Sequence, residues 1–195
     1  MRTPPNRRHI KKVIDLVANP RIDLWAMDEV HFQQYGSAMR MWIPPEVHNP
    51  ILLHQPTRKS VGYFGAVRLR DGRMVVRQER ETFNAVTCQA FLEELCSTSR
   101  QTGRQVVVIA DNARFHHAKL HKEWRQTVAK EFRLDFLPPY SPELNPIERV
   151  WKLTRRLCVH NRYFATLETV VQSVESRFTE WATPNETLRK LCAIT

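Results

Sequence analysis

The sequence predicts an α/β domain in which a mixed five-stranded sheet is covered by helices on both faces. Three observations lead there. Two β-rich runs meet at an Asp-Gly pair; a continuous β-branched run, VVVIA, occupies the middle of the chain; and helical and extended stretches then alternate. The 195 residues, 42% hydrophobic and 26% charged, supply apolar material for one sizeable core.

Residues 1–20 read as a basic lead-in, with an amphipathic helix over 8–18 that sets Ile10, Val13, Ile14 and Val17 at helical spacing. Residues 22–30 (IDLWAMDEV) are predicted as a buried strand carrying Asp28 near its end to a sheet edge. Met41, Trp42 and Ile43 precede Pro44 and Pro45. Residues 59–68 and 73–80 flank Asp71-Gly72 and read as a hairpin. Over 84–102, Val86, Ala90, Phe91, Leu92 and Leu95 recur at helical spacing, and Gly103 supplies the stop.

Residues 106–110 then form a strand covered on both faces, ending at Asp111. A helix is expected over 117–131, a strand over 134–137, and an ordered turn at Pro138, Pro139, Tyr140, Ser141 and Pro142. A long helix begins near Pro146, where proline is tolerated in the first turn, and runs through Arg155. Helices over 166–182 and 185–192 finish the chain. The implied division is a lead-in helix at 1–20, the sheet-bearing domain at 21–160 and a helical extension at 161–195.

Composition narrows the function classes. No apolar run is long enough to span a membrane, and the basic N-terminus lacks the apolar stretch of a secretory signal, so a cytoplasmic protein is expected. Cys88, Cys96, Cys158 and Cys192 contain no C-x-x-C pair, which argues against a zinc knuckle or a disulfide framework. The net charge of +10 suits a polyanionic partner.

Three acids sit where they could meet. Asp28 lies on the first strand, Asp111 follows a central strand, and Glu148 opens a helix; ends of this kind at one sheet edge converge in space. Hard divalent cations prefer such oxygen ligands, and two of them can activate an attacking oxygen and offset charge on a leaving one. Taken singly, each acid also suits a turn cap or a first-turn helix position. Glu29 adjoins Asp28, but adjacent strand residues face opposite ways, so only one of the two reaches a shared site.

The local sequences favour the joint reading. WAMDEVHF at 25–32, DNARFH at 111–116 and LPPYSPELNPIERVW at 137–151 resemble the mariner superfamily of transposases, above all its branch in bacterial insertion sequences, over residues 25–156. The third block is the most specific. The resemblance implies an RNase H-like fold with Asp28, Asp111 and Glu148 as ligands of two divalent cations, Mg2+ with Mn2+ as a substitute. The interval from Asp111 to Glu148 is slightly longer than usual, which the variable helix between them absorbs. The family pattern prefers Glu148 to Glu143.

The implied activity is phosphodiester hydrolysis followed by strand transfer in cut-and-paste DNA transposition. Water attacks at the transposon end, and the freed 3′-hydroxyl then attacks target DNA at the same site. Asn112 and His116 match family positions. His116 is expected either to approach the scissile phosphate or orient a water, or else to cap the next helix or bind a backbone carbonyl, whereas His117 has no motif support. Tyr140, Ser141, Pro142, Asn145 and Pro146 shape the turn presenting Glu148, and Trp151 is expected in the core. Lys152, Arg155 and Arg156 are candidate DNA-phosphate contacts.

Double-stranded DNA, as transposon ends and target, is the expected partner, with a homodimer bridging two ends at the nucleoid. Such enzymes carry an N-terminal helix-turn-helix. Here it is expected from a separate or frameshifted reading frame, unless the chain is a truncated remnant. Two alternatives are a non-catalytic DNA-binding remnant of a transposase and a stand-alone RNase H-like nuclease. The intact acids weigh against the first, and the long third block against the second.

Overall fold

The computed structural model describes residues 7–48, 51, 53, 56–139 and 141–194, so Tyr140 and the first six residues of the lead-in lie outside the described residues. The lead-in helix is α1, Arg7–Ala18, whose Val13 is buried. Five strands follow: β1 Ile22–Gln33, β2 Ser60–Arg68, β3 Met74–Glu79, β4 Gln105–Ala110 and β5 Phe132–Phe136. They form one sheet in the order β3-β2-β1-β4-β5. The β1–β2 and β2–β3 pairs are antiparallel, and β1–β4 and β4–β5 are parallel.

β1 runs further than its sequence suggested, which moves Asp28 from the strand's end to its middle. The reason lies in its two neighbours. Pairing with β4 stops at Ala26↔Ile109, whereas pairing with β2 continues to Gln33↔Ser60. From Met27 onward β1 is held on one side only, and the space beside it, beyond the end of β4, is open for a site.

Alternation along β1 sorts the core. Leu24, Ala26, Val30 and Phe32 face one layer, which includes Val13 of α1 and the helices α4 (Ile147–Thr154), α5 (Leu167–Trp181) and α6 (Glu186–Leu191). Trp25 and Met27 face the other, built by α2 (Ala85–Arg100) and α3 (Lys119–Thr127). Burying each such large side chain contributes about 1.5–3 kcal/mol. In α5, Val170, Val174, Phe178 and Trp181 form a buried stripe at helical spacing, and Phe178 meets Tyr63 edge-on with ring centroids 5.3 Å apart. The α5 and α6 starts are capped by the side chains of Thr166 and Asn185.

The hairpin at Asp71-Gly72 is present, and it docks on α6: Asn185 N donates to Asp71 O at 2.8 Å. Gly72 has φ +73°, and a Cβ there would lie 2.1 Å from Asn185 O, so both backbone angle and packing select glycine.

Met41, Trp42 and Ile43 lie outside the sheet, and Trp42 is fully exposed. The helix expected over 117–131 divides into a 3-10 turn, Arg114–His117, and α3, because Ala118 adopts an extended ψ of 146° between them. The helix carrying Glu148 begins at Ile147, beside Pro146 as expected, and continues after Thr154 as a π-helical turn, Arg155–Val159.

Candidate catalytic site

A cavity of about 450 Å3 opens where β4 ends beside the second half of β1. Asp28, Asp111 and Glu148 all line it, with Asn112, Ser141 and Asn145 among its polar walls. Each acid comes from a different element: β1, the residue after β4, and the first turn of α4.

Local bonds fix these carriers. Asn145 Nδ2 donates to Met27 O at 3.0 Å, which docks the start of α4 beside Asp28. Asn112 Nδ2 donates to Leu137 O at 2.6 Å, tying the end of β4 to the Pro-rich turn. Ala113 N donates to Asp111 Oδ1 at 2.9 Å. Trp151 Nε1 donates to Asp28 Oδ2 at 3.2 Å.

Glu29 lies on the sheet face opposite Asp28, as strand alternation requires, and does not line the cavity. It nevertheless reaches the site through His116. The His116 ring Nε2 is 3.0 Å from Glu29 Oε1, and Nδ1 is 3.1 Å from Asp111 Oδ1 and 3.2 Å from Asp111 O. His116 is therefore buried behind Asp111 with both ring nitrogens engaged, and it has no nitrogen left for a scissile phosphate. The ring thus binds a backbone carbonyl, as one of the two sequence readings has it, and the Asp111 and Glu29 carboxylates besides.

Electrostatics follow the geometry. Burial pushes Asp28 up to about 8, reinforced by repulsion from Glu29, Glu148 and Asp111 and opposed by the Glu29 N–H. The hydrogen bond from His116 holds Asp111 below the usual carboxylate range despite partial burial. Burial works against charge on His116, but bonds to Asp111, Cys88 and Glu29 outweigh it and push the imidazole up to about 12. An imidazolium donates from both nitrogens and coordinates nothing.

The donor set suits a divalent cation. Three acids line the cavity, Lys, Arg and His are absent among its described lining residues, and Asn145 Oδ1 is buried with no donor among the described residues. Oxygen donors of this kind match hard cations such as Mg2+ and Mn2+. A second grouping, Glu29, Asp111 and His116, has ligand atoms within 4.8 Å of one another, and there the two His116 ring nitrogens are already engaged by the two carboxylates.

Other candidates fall into place around this centre. Glu143 sits in the 3-10 turn Pro142–Leu144, outside the cavity lining. His117 is exposed and stacks on Phe136 with ring centroids 4.1 Å apart. Lys152, one helical turn beyond Glu148, and Arg156 are exposed, whereas the half-buried Arg155 places its guanidinium 5.8 Å from the centre of the Phe32 ring. Sequence reasoning missed the part of Glu29, because the curl of Arg114–His117 beneath the sheet edge has no sequence signature. It also assigned Trp151 to the core alone; its spacing of three from Glu148 was the available signal for more.

The sheet order, its helical layers and three acids around one edge define an RNase H-like domain with a carboxylate site. Residues 23–171 match the profile of the DDE superfamily endonucleases, and the chain belongs to that family. The catalytic domain of Mos1 mariner transposase has the same fold, with a TM-score of 0.58 and 16% identity over 98% of this chain and 90% of that one. The Mos1 transposase paired-end complex with left transposon end gives a TM-score of 0.68 at 18% identity, covering 95% of this chain and 55% of that one. The Mos1 mariner paired-end complex with Mn gives 0.66 at 16%, again covering 95% and 55%.

Among curated proteins, the uncharacterized protein y4pE/y4sA of Sinorhizobium fredii (strain NBRC 101917 / NGR234) is 36% identical over 85 residues, 43% of this chain and 59% of that protein. The chain spans 59% of the length of that curated protein and 55% of the longer chains in the Mos1 complexes. Among the described residues, no helix is long and apolar enough to cross a membrane.

Proposed function

We propose that this chain is the catalytic domain of a cut-and-paste DNA transposase, hydrolysing phosphodiester bonds at transposon ends and then joining the freed 3′-hydroxyl to target DNA. One observation carries the reading: acids from three separate elements, Asp28, Asp111 and Glu148, line a single cavity without a basic side chain among its described lining residues. Membership in the DDE endonucleases and the fold shared with Mos1 support it.

Asp28, Asp111 and Glu148 would hold two divalent cations, Mg2+ or in its place Mn2+. Bound there, the ions would supply activation of the attacking oxygen and charge relief on the leaving one. The chain's own residues set the stage. His116 and Glu29 hold Asp111 from behind, Asn145 fixes the start of α4 against β1, and the Pro-rich turn keeps Glu148 at the cavity wall. Exposed Lys152 on α4 and Arg156 on the π-helical turn that continues it suit DNA phosphates.

Duplex DNA is accordingly the substrate in this reading. A homodimer bridging two ends and a helix-turn-helix encoded in a separate or frameshifted frame, acting at the nucleoid, complete it; the match to longer relatives agrees with a further module. The test is nicking of supercoiled duplex DNA by the purified chain in Mn2+ or Mg2+, beside Asp28→Ala, Asp111→Ala and Glu148→Ala. The reading expects metal-dependent cleavage lost in all three folded variants; cleavage that survives any of the changes overturns the assignment of that residue.

A further inference from the structure

Trp151 is among the largest fully buried side chains, yet its polar atom is directed at the site. Its Nε1 lies 3.2 Å from Asp28 Oδ2 while its ring packs in the core beside Phe32. The approach depends on the residue directly across the sheet from Asp28, which is Gly65. A Cβ at Gly65 would stand 2.3 Å from Trp151 Cη2 and 2.7 Å from Cζ2, so the indole occupies the space that any other side chain would fill. Two strands and a helix are thus fitted together around one hydrogen bond.

We propose that Trp151 is a positioning residue for Asp28, with Gly65 as the notch that admits it: the indole N–H holds one carboxylate oxygen so that Asp28 is presented to the cation in a fixed orientation. This rests on the reading of Asp28 as a metal ligand. Trp151 stands one turn beyond Glu148 on α4. The same helix therefore delivers one ligand and orients another, and the spacing of Asp28 and Glu148 is set by a rigid element rather than by a loop. Partners that orient metal-binding side chains in this way typically influence metal affinity ten- to a hundredfold.

The test compares the full chain with Trp151→Phe, which keeps an aromatic ring and removes the donor, and with Gly65→Ala, which displaces the indole without altering it. In calorimetric titration, Mn2+ should bind about tenfold more weakly to a folded Trp151→Phe chain. The Mn2+ concentration giving half-maximal nicking should rise likewise, while the rate at saturating Mn2+ changes far less. Gly65→Ala should weaken Mn2+ binding in the same direction. A folded Trp151→Phe chain that binds Mn2+ as tightly as the wild type overturns the proposal and leaves the transposase reading intact. The indole N–H resonance of Trp151, identified by its loss in Trp151→Phe, gives a readout without metal. It should shift clearly in Asp28→Ala, and an unmoved resonance also overturns the proposal. Should the wild type bind no Mn2+, the proposed function fails, and the indole resonance still decides whether Trp151 holds Asp28.

Discussion

Glu29 Oε1 and His116 Nε2 lie 3.0 Å apart on the face of the sheet away from the cavity, and the other ring nitrogen of His116 holds Asp111. A residue that cannot line the site thereby acts on one that does. The imidazolium spans two carboxylates, so the negative charge of Asp111 is fixed in place before any cation or phosphate arrives.

Removing Glu29 tests this link. Glu29→Ala removes one partner of the buried His116 and should destabilise the chain by about 3–5 kcal/mol, the usual cost of breaking a buried pair. Glu29→Gln keeps a hydrogen-bond acceptor, should cost less, and should lower metal-dependent nicking roughly tenfold or more. Urea unfolding and cleavage rates measured together check both; wild-type cleavage by Glu29→Ala would show that the link has no part in the chemistry.

Asp28 gives the pH prediction. Its carboxyl is raised from 3.8 to about 8 by burial and by repulsion from Glu29, Glu148 and Asp111. The folded chain then binds more protons than the unfolded chain between those values, so stability falls as pH rises through that window and levels off above about 8. Asp28→Asn removes this dependence. In chelator, its melting temperature should exceed that of the wild type by a margin that widens from pH 4 to pH 8, at about 2–4 °C per kcal/mol for a chain of this size. Added Mn2+ should narrow the margin by stabilising the wild type alone. A margin that is flat with pH would contradict the charge crowding at Asp28.

Lys152 is exposed on α4, the helix that begins at the site, and Arg156 on the π-helical turn that follows it. If each neutralises one phosphate, Lys152→Ala and Arg156→Ala should each weaken duplex DNA binding on every sequence and reduce the slope of log affinity against log salt by roughly 0.9. Fluorescence anisotropy across a salt series measures this, and an unchanged slope would remove that residue from the DNA track.

The four cysteines are all buried thiols, and burial pushes Cys192 up to about 12. Native protein should therefore react with a thiol reagent only as fast as it unfolds, releasing all four thiols together in denaturant. Rapid labelling of any one in the native state would place that cysteine at the surface.

Much of the architecture was readable from the sequence because it rests on local patterns. Val106 to Ala110 announced a doubly covered strand, Asp71-Gly72 a hairpin, and the blocks around Asp28, Asp111 and Glu148 the acids at the cavity. What stayed hidden depends on tertiary contacts. The length of β1 follows from β2 outrunning β4 as its neighbour. The place of His116 follows from a 3-10 turn that carries its ring under the sheet edge, and the second role of Trp151 from a notch at Gly65 nearly ninety positions earlier. Periodicity carries no information about such pairings.

The central claim is that Asp28, Asp111 and Glu148 share one cation site. Anomalous diffraction from crystals of the chain grown with Mn2+ tests it most directly. The account predicts Mn2+ peaks within bonding distance of carboxylate oxygens from all three residues, with His116 still bridging Glu29 and Asp111. Manganese seated instead on Glu29 and His116, with Asp28 and Glu148 uninvolved, would contradict it.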